Sequence, residues 1–174
     1  MDPAETLRRA ETLLKEGWYR DSKETLEHYF EWRRAGGFEP KDGDARARKM
    51  ATCSLEEILL SMDPCDEARE WILNEKSNFG TLAQAVSACP RISWLEWVTE
   101  GLPSARHLAS DLDNHMSGPV FYSEVRVFLL VPENLERLAL GLFDQAKESG
   151  LLPRPRDGGA MGGSPLRPQR QEES

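Results

Sequence analysis

The segment from Thr81 to Trp97 restricts this chain to helical packing more strongly than any other stretch. Thr81 and Gln84 have the spacing of a capping box, in which two side chains satisfy free backbone amides at the start of a helix. Pro90 disfavours helical dihedrals at the residue before it, so this helix should end at Cys89 and the chain should turn there. One face of the predicted helix carries Leu82, Ala85, Val86 and Cys89.

A second, shorter helix should follow this corner, with Pro90 at its first position. Trp94, Trp97 and Val98 fall on one side of that helix. Each indole can bury well over about 150 Å², so two tryptophans this close predict a packing centre. Because free cysteine and tryptophan are usually buried apolar groups, a structural role is favoured over a ligand or redox role. The core residues predicted in this segment are Cys89, Pro90, Trp94 and Trp97.

The same segment resembles a known family. Its run Ala88-Cys89-Pro90, then three residues, then Trp94-Leu95-x-Trp97, is similar to the A-C-P-x-x-x-W-L-x-W motif of a family of bacterial immunity proteins. Relatives of that family also occur in phage genomes. The likeness covers about twenty of the 174 residues and weakens where Glu100-Gly101-Leu102-Pro103 replaces a continuing apolar helix. It implies a helical, non-enzymatic protein that binds another protein, and it transfers no functional residue.

Composition indicates one ordinary soluble domain. The chain is 39% hydrophobic and 30% charged over 174 residues. Cys53, Cys65 and Cys89 make an odd count without a CxxC pair, which favours a reducing compartment and a cytoplasmic location. The longest apolar run, Val127 to Val131, is far shorter than the about eighteen residues of a membrane span, so no membrane partner is expected. The N-terminus does not resemble a secretory signal.

The net charge of −8 is concentrated in the middle of the chain. Residues 1–50 carry eleven basic and eleven acidic side chains, residues 51–150 seven and sixteen, and residues 151–174 four and three. The excess of −9 in the middle repels nucleic acid and anionic lipid, and would speed encounter with a basic partner. An acidic surface also keeps a protein soluble, and both interpretations stay open.

Capping and breaking residues divide the rest of the chain into helices. Helix starts are predicted at Asp2, Asp21, Asp44, Ser54, Asp63, Pro103 and Pro132. Their irregular intervals do not fit a helical repeat. Gly36-Gly37 should end one helix in the left-handed conformation. The helix that begins at Pro132 is the most clearly amphipathic, and we place its Leu138 and Leu142 in the core.

The segment at 120–131 fits two structures. Val125, Val127 and Leu129 alternate as in a strand, yet the apolar run also suits a buried helix. A lone strand leaves its backbone unpaired, so helix is favoured, with a short strand near 124–131 as the alternative. From residue 151 the chain has four prolines, four glycines and no periodicity, which predicts a disordered tail at 151–174. The expected fold is a mainly α, single-domain bundle of seven to nine helices over residues 1–150.

Catalysis is disfavoured by what the chain lacks. The cysteines lie near predicted helix ends, which can activate a thiol, but no histidine has a context that places it beside one. His107, Asp111 and His115 recur every four residues. The two histidines would nevertheless be about 12 Å apart along the helix, too far to share one ion. No metal or cofactor is predicted, and a small enzyme using a cysteine is kept as an alternative.

The favoured hypothesis is an acidic helical protein that binds and neutralises or modulates another protein. Acidic groups would steer a basic partner and aromatic side chains would anchor it. We predict that Glu67, Glu70 and Glu75 contact basic groups on that partner. A nucleic-acid-binding regulator, with a helix-turn-helix within residues 44–75, is the other alternative, and the acidic balance opposes it.

Overall fold

The computed structural model describes residues 2–36, 42–115 and 123–153. These residues form ten α-helices, with 3₁₀ turns at Lys76–Asn78 and Pro103–Ala105, and contain no strand. The helices are α1 (Pro3–Lys15), α2 (Tyr19–Ala35), α3 (Asp42–Thr52), α4 (Leu55–Ser61), α5 (Asp66–Glu75), α6 (Leu82–Ala88), α7 (Ile92–Gly101), α8 (Arg106–His115), α9 (Ser123–Leu129) and α10 (Pro132–Glu148). The mainly α fold is therefore confirmed, with ten helices instead of the seven to nine expected.

Local capping signals were read correctly at three starts. The Asp2 carboxylate accepts from the Ala4 amide at 3.0 Å and Ser54 caps α4. Thr81 and Gln84 form both hydrogen bonds of the capping box at the start of α6. These bonds join residues at most three positions apart, so they depend on sequence alone.

Other predicted starts were wrong. α2 begins at Tyr19 instead of Asp21, and the amide of Arg20 in its first turn donates to the Gly80 carbonyl at 3.1 Å. α5 begins at Asp66, while Asp63 adopts a left-handed φ of 55°. Gly36 ends α2 with a φ of −82°, which is right-handed, and Gly37 lies outside the described residues.

The corner after α6 lies where it was predicted, but Pro90 does not begin the next helix. Cys89 turns the chain with φ −60° and ψ 120°, and α7 starts at Ile92 with Arg91 as its N-cap. Arg126 of α9 donates to the backbone carbonyls of Val86 and Cys89, so a cation covers the free carbonyl end of α6. The corner is thus held by a contact from about forty residues away.

The segment at 123–129 is helical, so the strand alternative is wrong there; residues 120–122 lie outside the described residues. Val125 and Leu129 are fully buried on one face of α9. Four positions separate them, which is the helical repeat, whereas the exposed Val127 between them breaks the pattern of a strand.

The centre of the core is α10, which contacts α1, α4, α6, α8 and α9. Leu138 and Leu142 are buried as predicted. Gly141 lets α10 approach the turn before α8 closely, because a Cβ there would lie 3.2 Å from the Ala105 Cβ. Leu152 is also buried and its amide donates to the Ala146 carbonyl. The packed domain therefore continues past residue 150, and residues 154–174 lie outside the described part.

The predicted packing centre at the Cys-Pro corner needs correction. Cys89 is buried, but Pro90 is exposed, and Trp94 and Trp97 are only partly buried. The tryptophans cover the outside of the core instead of filling it, because the buried positions of α7 belong to Leu95 and Thr99. No helix within the described ranges is long and apolar enough to cross a membrane.

Candidate functional site

An apolar cavity of about 50 Å³ lies beneath α5, α6 and α7. Its floor belongs to α4 and α10 and contains the core residues Leu138 and Leu142. We call it the apolar cavity. Its lining is Leu55, Leu59, Ala68, Trp71, Ile72, Leu82, Ala85, Val86, Cys89, Trp94, Leu95, Trp97, Val98, Leu138 and Leu142.

Three partly buried tryptophans form the outer wall of this cavity. The ring of Trp71 lies 5.8 Å from that of Trp94 and 5.1 Å from that of Phe79, measured between centroids. Trp97 continues the wall along α7. The sequence placed Trp94 and Trp97 together but gave no indication that Trp71, on a separate helix, would join them.

The predicted acidic trio spans about 140° around α5. At about 100° per residue, Glu67 and Glu70 lie about 60° apart around α5, whereas Glu75 lies about 140° from Glu70. Glu75 accepts a hydrogen bond from Asn78 at 2.7 Å. Glu67 forms an ion pair with Arg91 at 2.5 Å. Glu67 and Glu70 are both exposed, and Glu70 has no ion pair among the residues described.

Arg91 lies between the acidic groups and the tryptophan wall. Its guanidinium is 5.4 Å from the centroid of the Trp94 ring while it pairs with Glu67. Trp94 thus already attracts one cation to its face. Glu100 follows Trp97 by three positions on α7, so the two share a face, and Glu100 is exposed. The sequence did not indicate Glu100 as a candidate, because it lies on a different helix from Glu70 and far from it along the chain.

A buried ionic cluster joins α2 to α3 outside this cavity. Asp44, expected to cap α3, instead accepts from the Tyr29 hydroxyl at 2.7 Å and from the Arg33 guanidinium at 2.8 Å. α3 begins two residues earlier, at Asp42. Burial and the hydrogen bond to Asp44 raise the pKa of Tyr29, and the hydrogen bond to Asp44 raises the pKa of Arg33. We call these three residues the ionic cluster; their role is to pack two helices.

Neither buried thiol has the properties of an activated nucleophile. Burial raises the pKa of Cys53 to about 12 and also raises the pKa of Cys89. A catalytic cysteine needs the opposite shift, because the thiolate is the reactive form. Cys65 is exposed at the N-cap of α5.

The side chains that suggested a metal site are used elsewhere or lie apart. Asp111 pairs with Arg137 at 2.9 Å, His107 is exposed, and the side chain of His115 lies outside the described part. Within the described ranges, no three His, Cys, Asp or Glu side chains come together as metal ligands would. Of the basic residues in the helix-turn-helix alternative, Arg46 pairs with Glu11 of α1.

No protein family, curated protein or solved structure matches this chain. The resemblance of Ala88–Trp97 to bacterial immunity proteins therefore stays a prediction. What the residues themselves place together is the tryptophan wall, the apolar cavity behind it and the Glu67–Arg91 ion pair at the Trp94 ring.

Proposed function

We propose that this chain is a non-enzymatic cytoplasmic protein that binds another protein and neutralises or modulates it. The observation that carries this proposal is the partly buried tryptophan wall of Trp71, Trp94 and Trp97 over an unfilled apolar cavity. Tryptophans at a surface are the side chains that most often supply binding energy between proteins. Their position over a cavity provides space for an anchor from the partner.

The size of the cavity favours a side chain over a free small molecule. A cavity of about 150 Å³ holds benzene, and this cavity measures about 50 Å³. The end of an aliphatic side chain needs less room than a whole ring, and the rest of the partner would cover the tryptophan wall. Ligand pockets for small molecules usually start at about 300 Å³.

The charges beside the wall favour a basic partner. Glu70 and Glu100 are exposed, and the one nearby cation known to contact the wall, Arg91, is already paired with Glu67. A partner would therefore present an aliphatic anchor flanked by lysine or arginine. Such pairs at the rim mainly increase the association rate and make it depend on salt.

The test begins with capture of partners from a bacterial lysate at low and moderate salt. The captured protein is then titrated against Trp97→Ala and against the double variant Glu70→Lys/Glu100→Lys. Trp18→Ala is the control for the first, because Trp18 is a surface tryptophan (46% exposed) that does not line the cavity. Glu24→Lys/Glu136→Lys is the control for the second, because it changes the net charge equally at two exposed sites.

We expect Trp97→Ala and the double variant Glu70→Lys/Glu100→Lys each to weaken binding about tenfold or more. The two control variants should bind like the parent. Equal affinity in all four variants would contradict the proposed binding surface. Retention of nucleic acid alone would overturn the proposal and favour the regulator alternative.

A further inference from the structure

A second cavity, of about 270 Å³, lies between α1, α3 and α10 and has a different chemistry. Its apolar side consists of Met50, Phe143 and Leu152, all buried. Its other side carries three cations, Lys15, Arg46 and Lys147. We call it the cationic cavity.

Two ammonium groups converge on the apolar side of this cavity. The Nζ atoms of Lys15 and Lys147 lie 5.1 Å and 4.7 Å from the centroid of the Phe143 ring. The two like charges are therefore no more than about 10 Å apart, close enough to repel each other across a partly apolar space. Attraction to the ring holds both side chains over the cavity before any ligand arrives.

Each of these three cations pairs with a carboxylate, but two of them share the same one. Glu11 is the one carboxylate in the lining, and it is shared between Lys15 at 3.5 Å and Arg46 at 3.2 Å. Lys147 pairs with Asp144 at 2.9 Å, on its own helix and outside the lining. Among the described residues, the three cations and their two carboxylate partners leave one positive charge over, in a chain whose net charge is −8. An excess of positive charge here opposes the overall composition.

We propose that the cationic cavity binds a small organic anion with an apolar body. Its anionic group would lie between Lys15 and Lys147, where it relieves their repulsion, and Arg46 would donate to it from the side. The apolar body would pack on Phe143 and Met50. The volume is close to the lower limit of small-molecule pockets, about 300 Å³, which restricts the ligand to roughly one ring or a short chain.

This site is independent of the proposed protein-binding surface. It uses α1, α3 and α10, whereas the tryptophan wall belongs to α5 and α7. Failure of one proposal therefore leaves the other standing.

The test titrates the full chain with benzoate, octanoate and phenyl phosphate, followed by backbone amide chemical shifts. Benzamide, which has the ring without the charge, and inorganic phosphate, which has the charge without an apolar body, are the paired controls. We expect at least one of the three anions to give saturable shifts at Phe143 and Lys147. Benzamide and inorganic phosphate should bind at least about tenfold more weakly, because each lacks half of the complementarity.

Matched variants then assign the binding to these cations. Lys147→Met and Lys15→Met keep an apolar stem of similar length and remove the charge, so each should weaken binding about tenfold. Lys49→Met, an exposed lysine on α3 outside the lining, should bind like the parent. Thermal melting checks that each variant is folded.

Three results would overturn the proposal: no saturable shift with any of the three anions, equal affinity for benzoate and benzamide, or parental affinity in both lysine variants. Shifts confined to the tryptophan wall would assign the anion to the other cavity and count against it equally.

Discussion

The α2–α3 junction and the α5–α7 junction both hold peripheral helices together, and they do so with opposite chemistry. At the first, the buried carboxylate of Asp44 accepts one hydrogen bond from Tyr29 at 2.7 Å and one from Arg33 at 2.8 Å. At the second, the rings of Trp71 and Trp94 lie 5.8 Å apart and a cavity remains behind them.

The difference shows where a chain of this kind has room for a partner. Hydrogen bonds to a charge are directional, so the ionic cluster holds one geometry and loses much when a member is truncated. The apolar contacts of the aromatic junction leave a void of about 50 Å³ behind the rings. Under the proposed function, the aromatic junction is where a side chain of the partner would enter. The experiments below test the two junctions and the buried thiols, from the largest expected effect to the smallest.

Asp44→Ala should have the largest effect, about 3 kcal/mol less stability. It removes the acceptor of both hydrogen bonds, and one of these bonds comes from a guanidinium that is 8% exposed. Urea unfolding measures the loss. Asp113→Ala, at an exposed position on α8, is the control and should stay within about 0.5 kcal/mol.

The costs of Arg33→Met and Asp44→Ala should not add in the double variant, because both substitutions remove the same hydrogen bond. If the single variant is as stable as the parent, the ionic cluster contributes nothing and the contrast between the junctions fails.

The thiols should differ by about a hundredfold or more in alkylation rate at pH 8. Cys65 is exposed, whereas Cys89 lines the apolar cavity and the pKa of Cys53 is raised to about 12 by burial. Mass spectrometry after iodoacetamide treatment gives the order. Fast labelling of Cys89 would mean that the apolar cavity opens readily.

The same shift predicts an alkaline dependence of stability. The pKa of Cys53 is raised to about 12 in the fold and is about 8.5 in the unfolded chain. The unfolded thiol therefore ionises first, and its contribution to stability is complete below about pH 8.5 and is lost as the pH rises towards 12. Cys53→Ala should show a smaller alkaline loss than the parent, and identical pH profiles would contradict the shift.

Tyr29→Phe should reduce stability by about 2 kcal/mol, since it removes one hydrogen bond to a buried carboxylate. Tyr19→Phe is a matched control. Tyr19 is equally buried, but its hydroxyl has no hydrogen-bond partner among the described residues. Its removal should be neutral or stabilising, and a loss similar to that of Tyr29→Phe would show that burial alone sets the cost.

Trp94→Ala should reduce stability by about 2 kcal/mol, less than the 3–5 kcal/mol typical of a fully buried aromatic side chain. The ring is only partly buried, and Arg91 covers one face. Urea unfolding beside Leu142→Ala, whose side chain is fully buried, sets the scale. A stability loss of about 3–5 kcal/mol would instead support the tryptophans as the packing centre.

Ala85→Val should have the smallest effect, under about 1 kcal/mol in either direction, because it extends into the apolar cavity. Ala10→Val, at a fully buried site outside that cavity, should cost about 1–3 kcal/mol by overpacking. Under the proposed function, Ala85→Val should also weaken partner binding. Equal costs at both sites would mean that the cavity has no usable space.

Helix positions were largely predictable, and partners of charged side chains were not. The capping box at Thr81 and the corner at Cys89 follow from interactions across a few residues. Asp44 and Asp63 carry the same local signal as Asp2, yet only Asp2 caps a helix from the predicted position. Asp44 instead accepts hydrogen bonds from Tyr29 and Arg33 of α2, and the sequence around Asp44 does not show that contact.

The candidate surface was only partly visible for the same reason. Glu67 and Glu70 are neighbours on α5, which helical spacing shows, but the pairing of Glu67 with Arg91 depends on how α5 meets the corner. Trp71 joins Trp94 by the same packing. The sequence did not predict the cationic cavity, because its two lysines and its arginine come from three helices. Taken one at a time, each has the sequence context of a solvated charge.

The sequence by itself determined a mainly α protein, the corner at Cys89 and the buried stripe of α10, because these depend on backbone and side-chain contacts within one or two turns. Only the tertiary structure decided which charges pair, which tryptophans remain at the surface and where cavities are left. Those outcomes depend on the relative placement of helices far apart in the chain, and packing sets that placement through many weak contacts at once.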